Sequence, residues 1–159
     1  MRVGIGYDSH RFAEGRPLVL GGVRIPFEKG LSGHSDADVV AHAVTDAILG
    51  AASLGDIGAH FPPGDERWRH ADSIELLRAA VRLLAERNYQ VVNVDVSVVA
   101  ELPRLRPYVD AMRARLADAL GISPDNVSVK GKTNEQMGWV GRGEGIAGMA
   151  VALIDAVRE

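Results

Sequence analysis

The chain has 159 residues, of which 47% are hydrophobic and 25% charged, and its formal net charge is -3. That length suits a single domain with a real core rather than two, and the mild charge excludes a global electrostatic footprint for nucleic acid or an acidic membrane. Cysteine is absent, which excludes disulfides, Cys-type zinc sites and thiol nucleophiles.

Strand-like MRVGIGYD opens the chain, so a cytoplasmic protein with no leading signal is the expectation. No apolar run reaches the length of a membrane span. Residues 2–8 read as the first strand. In an extended segment side chains at i and i+2 point the same way, so Asp8 and His10 project together, as two metal ligands or as a base and its orienting partner. PLVLGGVRI (17–25) reads as a hairpin about Gly21-Gly22. A helix is expected over roughly 36–53, with Ser35 as N-cap, acidic residues in its first turn, and an apolar face through Val39, Val40, Ala43, Val44, Ala47, Ile48 and Ala51. Asp38, His42 and Asp46, spaced by four, would share one stripe of it.

Residues 54–70 are punctuated by Gly and Pro and read as a long loop, where function tends to sit. Asp72 and Glu75 give the next helix a capping-box-like start. QVVNVDVSVVA alternates, with Val92, Val94, Val96 and Val98 on one face and Asn93, Asp95 and Ser97 on a wet one. A third helix ends at Gly121, Ser123-Pro124-Asp125 turns into the strand NVSVKGK, and GWVGRGEG leads into a last strand, IAGMAVALIDAV. The pattern predicts one α+β domain over residues 1–159, a two-layer sandwich of one mixed sheet with helices on one face. The sheet's free polar face would line an oligomer interior.

Asp8, His10 and His42 would supply three N/O ligands from two rigid elements and leave a fourth position open, the arrangement of a catalytic rather than a structural zinc. Manganese or cobalt suits the same donors. Asp46 or Asp38, one turn from His42, could fix its tautomer. His34 and Ser35, just before the helix, read as substrate-facing or as capping residues. A second cluster, KGKTNEQMGWVGRGEG (130–145), sets Lys130, Lys132, Thr133, Trp139 and Arg142 among glycines, as a phosphate site requires. Glu135 within it suits Mg²⁺, which keeps waters and bridges phosphates. In AELPRLRP (100–107), Pro103 and Pro107 hold Arg104 and Arg106 where an anion or a base could be met.

These motifs together resemble the 2-C-methyl-D-erythritol 2,4-cyclodiphosphate synthase family nearly end to end. G-x-D-x-H-x-F matches at Gly6 to Phe12, GGV-x-IP at Gly21 to Pro26, HSD-x-D at His34 to Asp38, and H-A-x-x-D-A at His42 to Ala47. GDIG follows at Gly55 to Gly58, FP-x-x-D at Phe61 to Asp65, NVD at Asn93 to Asp95, and GRGEGIA at Gly141 to Ala147. The resemblance implies a homotrimer with active sites between subunits, and a cytidine diphosphate substrate, 4-diphosphocytidyl-2-C-methyl-D-erythritol 2-phosphate. It is cyclised with release of CMP in non-mevalonate isoprenoid biosynthesis. On matching positions Asp8, His10 and His42 would hold zinc, Glu135 would hold Mg²⁺ (or Mn²⁺), and His34 and Thr133 would steady the transition state. Ser35, Asp56, Ile57, Gly58, Phe61, Pro62, Pro63, Gly64 and Asp65 would hold the methylerythritol end. Ala100, Glu101, Leu102, Pro103, Arg104, Leu105, Arg106, Lys132 and Asn134 would hold the cytidine and its phosphates, and Trp139 and Arg142 take further substrate positions. In related trimers Arg142 and Glu144 also lie near a central cavity that can take an isoprenoid phosphate.

The chain departs from the common pattern in Pro63, often polar in relatives, in Lys132, where some have threonine, and in Trp139 and Tyr7, where phenylalanine is commoner. Two other readings compete. A zinc-dependent phosphohydrolase of nucleotide diphosphate compounds would need a general base such as Asp46 or Asp56. A non-catalytic trimeric isoprenoid- or phosphate-binding module would hold a fully coordinated, structural metal.

Overall fold

The structure is a computed structural model that describes residues 1–157. Its first strand, β1 (Arg2–Ala13), runs on past the expected end at Asp8 and carries Asp8 and His10 within a paired strand. The glycine pair at 21–22 turns β2 (Leu18–Leu20) into β3 (Val23–Ile25), antiparallel as expected, both glycines at positive φ. After β4 (Gly30–Leu31) come α1 (Val39–Ala51), a short α2 (Ile57–His60) and α3 (Ser73–Glu86). Then follow β5 (Tyr89–Val99), α4 (Val109–Leu120), β6 (Val127–Lys132), a short α5 (Gly138–Gly141) and β7 (Gly145–Ala156).

The sheet order is β4-β1-β7-β5-β6, antiparallel throughout except for the parallel pair β5–β6. The helices lie side by side on one face, α1 over β1 and β7, α3 over β5 and α4 over β6. This is the expected two-layer α+β sandwich. Ile74, Leu77, Leu84, Met112 and Leu116 are fully buried beneath it, each contributing about 1.5–3 kcal/mol of apolar burial.

α1 starts later than the sequence reading placed it. Its N-cap is Asp38, whose carboxylate accepts from the amides of Val40 and Ala41, so Ser35 does not cap it and the first turn holds no acid. Asp38 also accepts from Gly21 and Gly22 at 2.8 and 2.7 Å, tying the hairpin to the helix. A carboxylate satisfied by four amides outcompetes a hydroxyl as a cap, because its oxygens accept several bonds at once. At α3 the Asp72 cap forms as expected, accepting from Ile74 N, while the Glu75 carboxylate turns to Arg78.

In β5 a bulge between Val91 and Asn93 shifts the alternation, so Val91, Val94, Val96 and Val98 are buried and Val92 leaves the core face. One extra residue changes the parity of everything before it. The free face is not uniformly polar either. Asn93, Asp95, Ser97, Ser128 and Lys130 occupy one half, but Val3, Ile5, Tyr7, Met149 and Val151 make the β1–β7 half an exposed apolar patch, with Val3 68% and Ile5 71% exposed.

On the helix side of β1, residues of one parity are Gly4, Gly6, Asp8 and His10. A Cβ on Gly6 would lie 1.9 Å from the carbonyl oxygen of Ala43, and one on Gly4 would lie 2.0 Å from that of Ala47. The backbone of α1 therefore rests almost on the strand, and the first side chains beyond the two glycines meet the side chain of His42.

Candidate metal and active site

Asp8 and His10 come from β1 and His42 from α1, and one ligand atom from each lies within 4.8 Å of the others. Asp8 Oδ2 is 2.8 Å from His10 Nε2 and 3.0 Å from His42 Nδ1, and those two nitrogens are 3.3 Å apart. The other ring nitrogens are committed elsewhere. His10 Nδ1–H donates to the carbonyl of Ser32 at 2.7 Å, and His42 Nε2 faces Ser73 Oγ at 2.7 Å and Ser35 Oγ at 3.2 Å. Both rings thus turn their remaining nitrogen to the point where Asp8 aims a carboxylate oxygen. Two imidazoles and a carboxylate converging with their outer nitrogens bonded is a donor set that fits zinc.

The electrostatics agree. Burial by itself would raise Asp8, but hydrogen bonds and charge from His10 and His42 outweigh it and hold the carboxyl at about 2. Burial likewise pulls His10 down, and Asp8 with the Ser32 carbonyl more than offsets it, so its pKa lies above the usual 6.5.

The tripod opens into a cavity of about 170 Å³ lined by His10, His34, Ser35, His42, Ile57, Phe61, Pro63, Trp68 and Leu76. His34 Nε2–H donates to the carbonyl of Asp65 at 2.9 Å, which sets its ring in the wall. Arg16 donates to the carbonyls of Gly33 and Ser35, both at 2.6 Å, and clamps the loop that carries His34. The loop expected over 54–70 contains α2 and a turn of 3₁₀ helix at Glu66–Trp68. Asp56 and Asp65 act as caps there, and Asp65 also pairs with Arg67 at 2.6 Å. Phe61 meets Trp68 edge to face. Pro62 and Gly64 lie exposed in the turn, and Gly58 sits within α2.

The second cluster forms a separate cavity of about 560 Å³ lined by residues 100–106, apart from Leu102, and by Val109, Val129, Lys130, Gly131, Lys132 and Thr133. The Glu101 carboxylate accepts from the amides of Asn134 and Gln136, both at 3.0 Å, and shapes the positive-φ turn that presents Glu135. The Asn134 amide donates to the Met137 carbonyl. Trp139 is half-exposed, Leu102 is exposed, and Arg142 pairs with Glu144 at 2.8 Å. The two cavities share no residue. Asp8 pairs with Gly148, Gly148 with Val98 and Val98 with Gly131, so one row across the sheet joins the tripod strand to the strand lining the second cavity, three strand spacings or about 14 Å away.

The structure brings Asp8, His10 and His42 together, sets His34 in the wall of the cavity beside them, and gathers residues 100–106, apart from Leu102, around the second cavity. Neither carboxylate expected beside His42 bonds to it: Asp38 is the helix cap and Asp46 accepts from the amide of Ile57. Ser73, 31 residues from His42, carried no signal except as the first residue of a helix. Trp68, Leu76 and Arg16 were also missed, since each reaches the site only through tertiary packing.

A family model described as the YgbB family matches residues 1–155. The 2-C-methyl-D-erythritol 2,4-cyclodiphosphate synthase of Symbiobacterium thermophilum is 62% identical over 154 residues, 97% of this chain and 98% of that one. The synthase of Laribacter hongkongensis is 60% identical over 156 residues, covering 98% and 96%. Among solved structures, the bifunctional IspDF of Campylobacter jejuni superposes with a TM-score of 0.94 at 41% identity. That match covers 98% of this chain but 42% of the other, so this chain spans under half of that longer protein. A 2C-methyl-D-erythritol-2,4-cyclodiphosphate synthase in its CDP-bound form gives a TM-score of 0.89 at 38% identity, covering 97% and 100%.

Proposed function

The chain belongs to the YgbB family, and on that premise we infer that it is a cyclising lyase. It converts 4-diphosphocytidyl-2-C-methyl-D-erythritol 2-phosphate to 2-C-methyl-D-erythritol 2,4-cyclodiphosphate and CMP, in isoprenoid biosynthesis. The observation that carries this reading is end-to-end identity above half with synthases of that name, on a chain that folds their ligand set into one convergent tripod.

The chemistry suits these residues. The substrate's own 2-phosphate attacks the β-phosphorus, forming the new P–O bond as the bond to CMP breaks, so the protein needs no nucleophile. It must hold the two groups in line and neutralise developing charge. Asp8, His10 and His42 would hold a divalent cation, zinc by donor set, and that cation would supply Lewis-acid stabilisation of the charge developing on the diphosphate. His34, from the same cavity wall, and Thr133, from the second cavity, would steady the equatorial oxygens. Glu135, exposed on its turn beside Lys132, would hold Mg²⁺ against the diphosphate. Residues 100–106 with Lys132 to Glu135 would take the cytidine and its phosphates. Ser35, Asp56 to Gly58 and Phe61 to Asp65 would take the methylerythritol end, with Trp139 and Arg142 further out.

A homotrimer with shared sites is part of this proposal. Asp8 on β1 and Gly131 on β6 lie three strand spacings or about 14 Å apart in one chain, a long reach for one diphosphate, and the exposed β1–β7 patch offers an apolar surface for a second copy. A cytoplasmic location follows from the same biosynthetic reading, and no helix among the described residues is long and apolar enough to cross a membrane.

Phosphorus NMR of purified protein with the cytidylylated 2-phosphate and Mg²⁺, with and without a zinc chelator, tests the reading, with sedimentation velocity on the same sample. Cyclic diphosphate plus CMP, lost on chelation, from a trimer is the expected result. Linear phosphorylated methylerythritol would make water the nucleophile and the chain a hydrolase.

Zinc binding should also depend on pH in a definite direction. His10 has a raised pKa, so the metal displaces its proton, and affinity should fall about tenfold per pH unit for each proton displaced as pH drops below that value. The two groups act on the metal-free fold in opposite directions. Stability from His10 is present below 6.5 and lost as pH rises through its raised value. Stability from Asp8 is present above 3.8 and lost as pH falls toward 2. Zinc titrations against a competing chelator across the acid-to-neutral range check this, and a pH-independent affinity would contradict it.

A further inference from the structure

The two imidazoles of the tripod are oriented by different means. The carbonyl of Ser32 can only accept, so His10 carries its proton on Nδ1 and turns the Nε2 lone pair inward. The partner of His42 is a hydroxyl, which can accept or donate and by itself fixes nothing.

What fixes it is Asp36. The Ser73 hydroxyl donates to Asp36 Oδ1, and the Ser73 amide donates to Asp36 Oδ2 at 3.0 Å. Asp36 Oδ1 also accepts from the amide of Asp38 at 3.1 Å. Carboxylate oxygens only accept, so the one hydroxyl proton of Ser73 is committed to Asp36. The lone pairs of Ser73 Oγ are left facing His42 Nε2 at 2.7 Å. Nε2 must then carry the hydrogen, and Nδ1 presents its lone pair to Asp8 and His10. Ser73 is fully buried, so water does not substitute for it. Ser35 Oγ, at 3.2 Å from Nε2 and accepting from Ala37 N at 3.2 Å, is a longer, secondary contact.

We propose that Asp36 and Ser73 are positioning residues that together hold His42 as the Nε2–H tautomer and so set the tripod's affinity for its divalent cation. Without Asp36 the hydroxyl is free to turn its proton onto Nε2, which moves the ring proton to Nδ1, where it points at Asp8 and blocks the metal. The proposal rests on reading Asp8, His10 and His42 as metal ligands.

The test measures zinc affinity by competition with a chromophoric chelator at neutral pH, cobalt visible bands as a report of coordination geometry, and denaturant unfolding of each metal-free protein. Ser73→Ala should bind zinc about 10- to 100-fold more weakly, with altered cobalt bands and a folded metal-free state. Asp36→Asn should lose about tenfold, the double variant no more than Ser73→Ala alone, and Ser73→Thr, which keeps the hydroxyl, should recover most of the affinity. Wild-type affinity in both single variants, or losses that simply add, would overturn the relay and leave the tripod standing. Failure of both metal-free variants to fold would overturn it too, by making the pair structural. A wild-type protein that binds no zinc would remove the tripod itself.

Discussion

His42→Ala should abolish zinc binding and lower cyclisation by about a thousandfold or more while leaving the protein folded. The ring is the proposed third ligand, and without it Asp8 and His10 still pair at 2.8 Å but define no tetrahedral site. Charge stabilisation by the metal is worth several kcal/mol at the transition state, and a loss of about 4 kcal/mol is about a thousandfold in rate. The cost to the fold is smaller, about 1–2 kcal/mol, because Ser73 keeps its bonds to Asp36 and leaves no orphaned hydroxyl. Single-turnover rates and denaturant midpoints on the same variant separate the two effects. Collapse of the fold with loss of metal would mark the tripod as structural and favour a binding module over an enzyme.

Gly6→Ala should destabilise the protein by about 3 kcal/mol and weaken zinc binding, although the residue touches no ligand. Its new methyl would sit 1.9 Å from Ala43 O and 2.8 Å from Ala47 N, both backbone atoms of α1. A flexible side chain could move aside, but a helix backbone shifts only as a unit, so the cost falls at or above the usual range for overpacking. Any shift that relieves the clash carries His42, the residue before Ala43, away from Asp8 and His10 on the strand. Denaturant unfolding and a zinc titration measure both consequences. A variant of wild-type stability and affinity would mean that β1 and α1 can separate freely, contrary to the packing described here. Val3 and Ile5, on the opposite face of the same strand, provide the contrast, since an alanine there meets no helix.

Much of this was legible along the chain because it depends on local physics. Alternation placed Asp8 and His10 on one side of β1, Gly21-Gly22 announced a hairpin, and Gly121 closed α4 at φ 71°. The errors share one cause, which is competition between distant partners. Ser35 has the chemistry of a cap, but Asp38 accepts from the hairpin glycines as well as from its own helix and takes that place. Asp46 looked like the partner of His42 until the amide of Ile57 claimed it. Val92 looked buried until a bulge against β7 displaced it.

By itself the sequence determined the element types, the two-layer arrangement and the chemical nature of the metal donors, since these follow from residue type and short spacing. Only the tertiary structure decided which hydroxyl faces His42, which carboxylates are spent on amides, and that the Asp8–His10–His42 cluster and the cavity of residues 100–106 lie in separate parts of one chain. Those outcomes turn on groups tens of residues apart competing for the same few buried hydrogen-bonding positions, and packing alone determines which of them arrives.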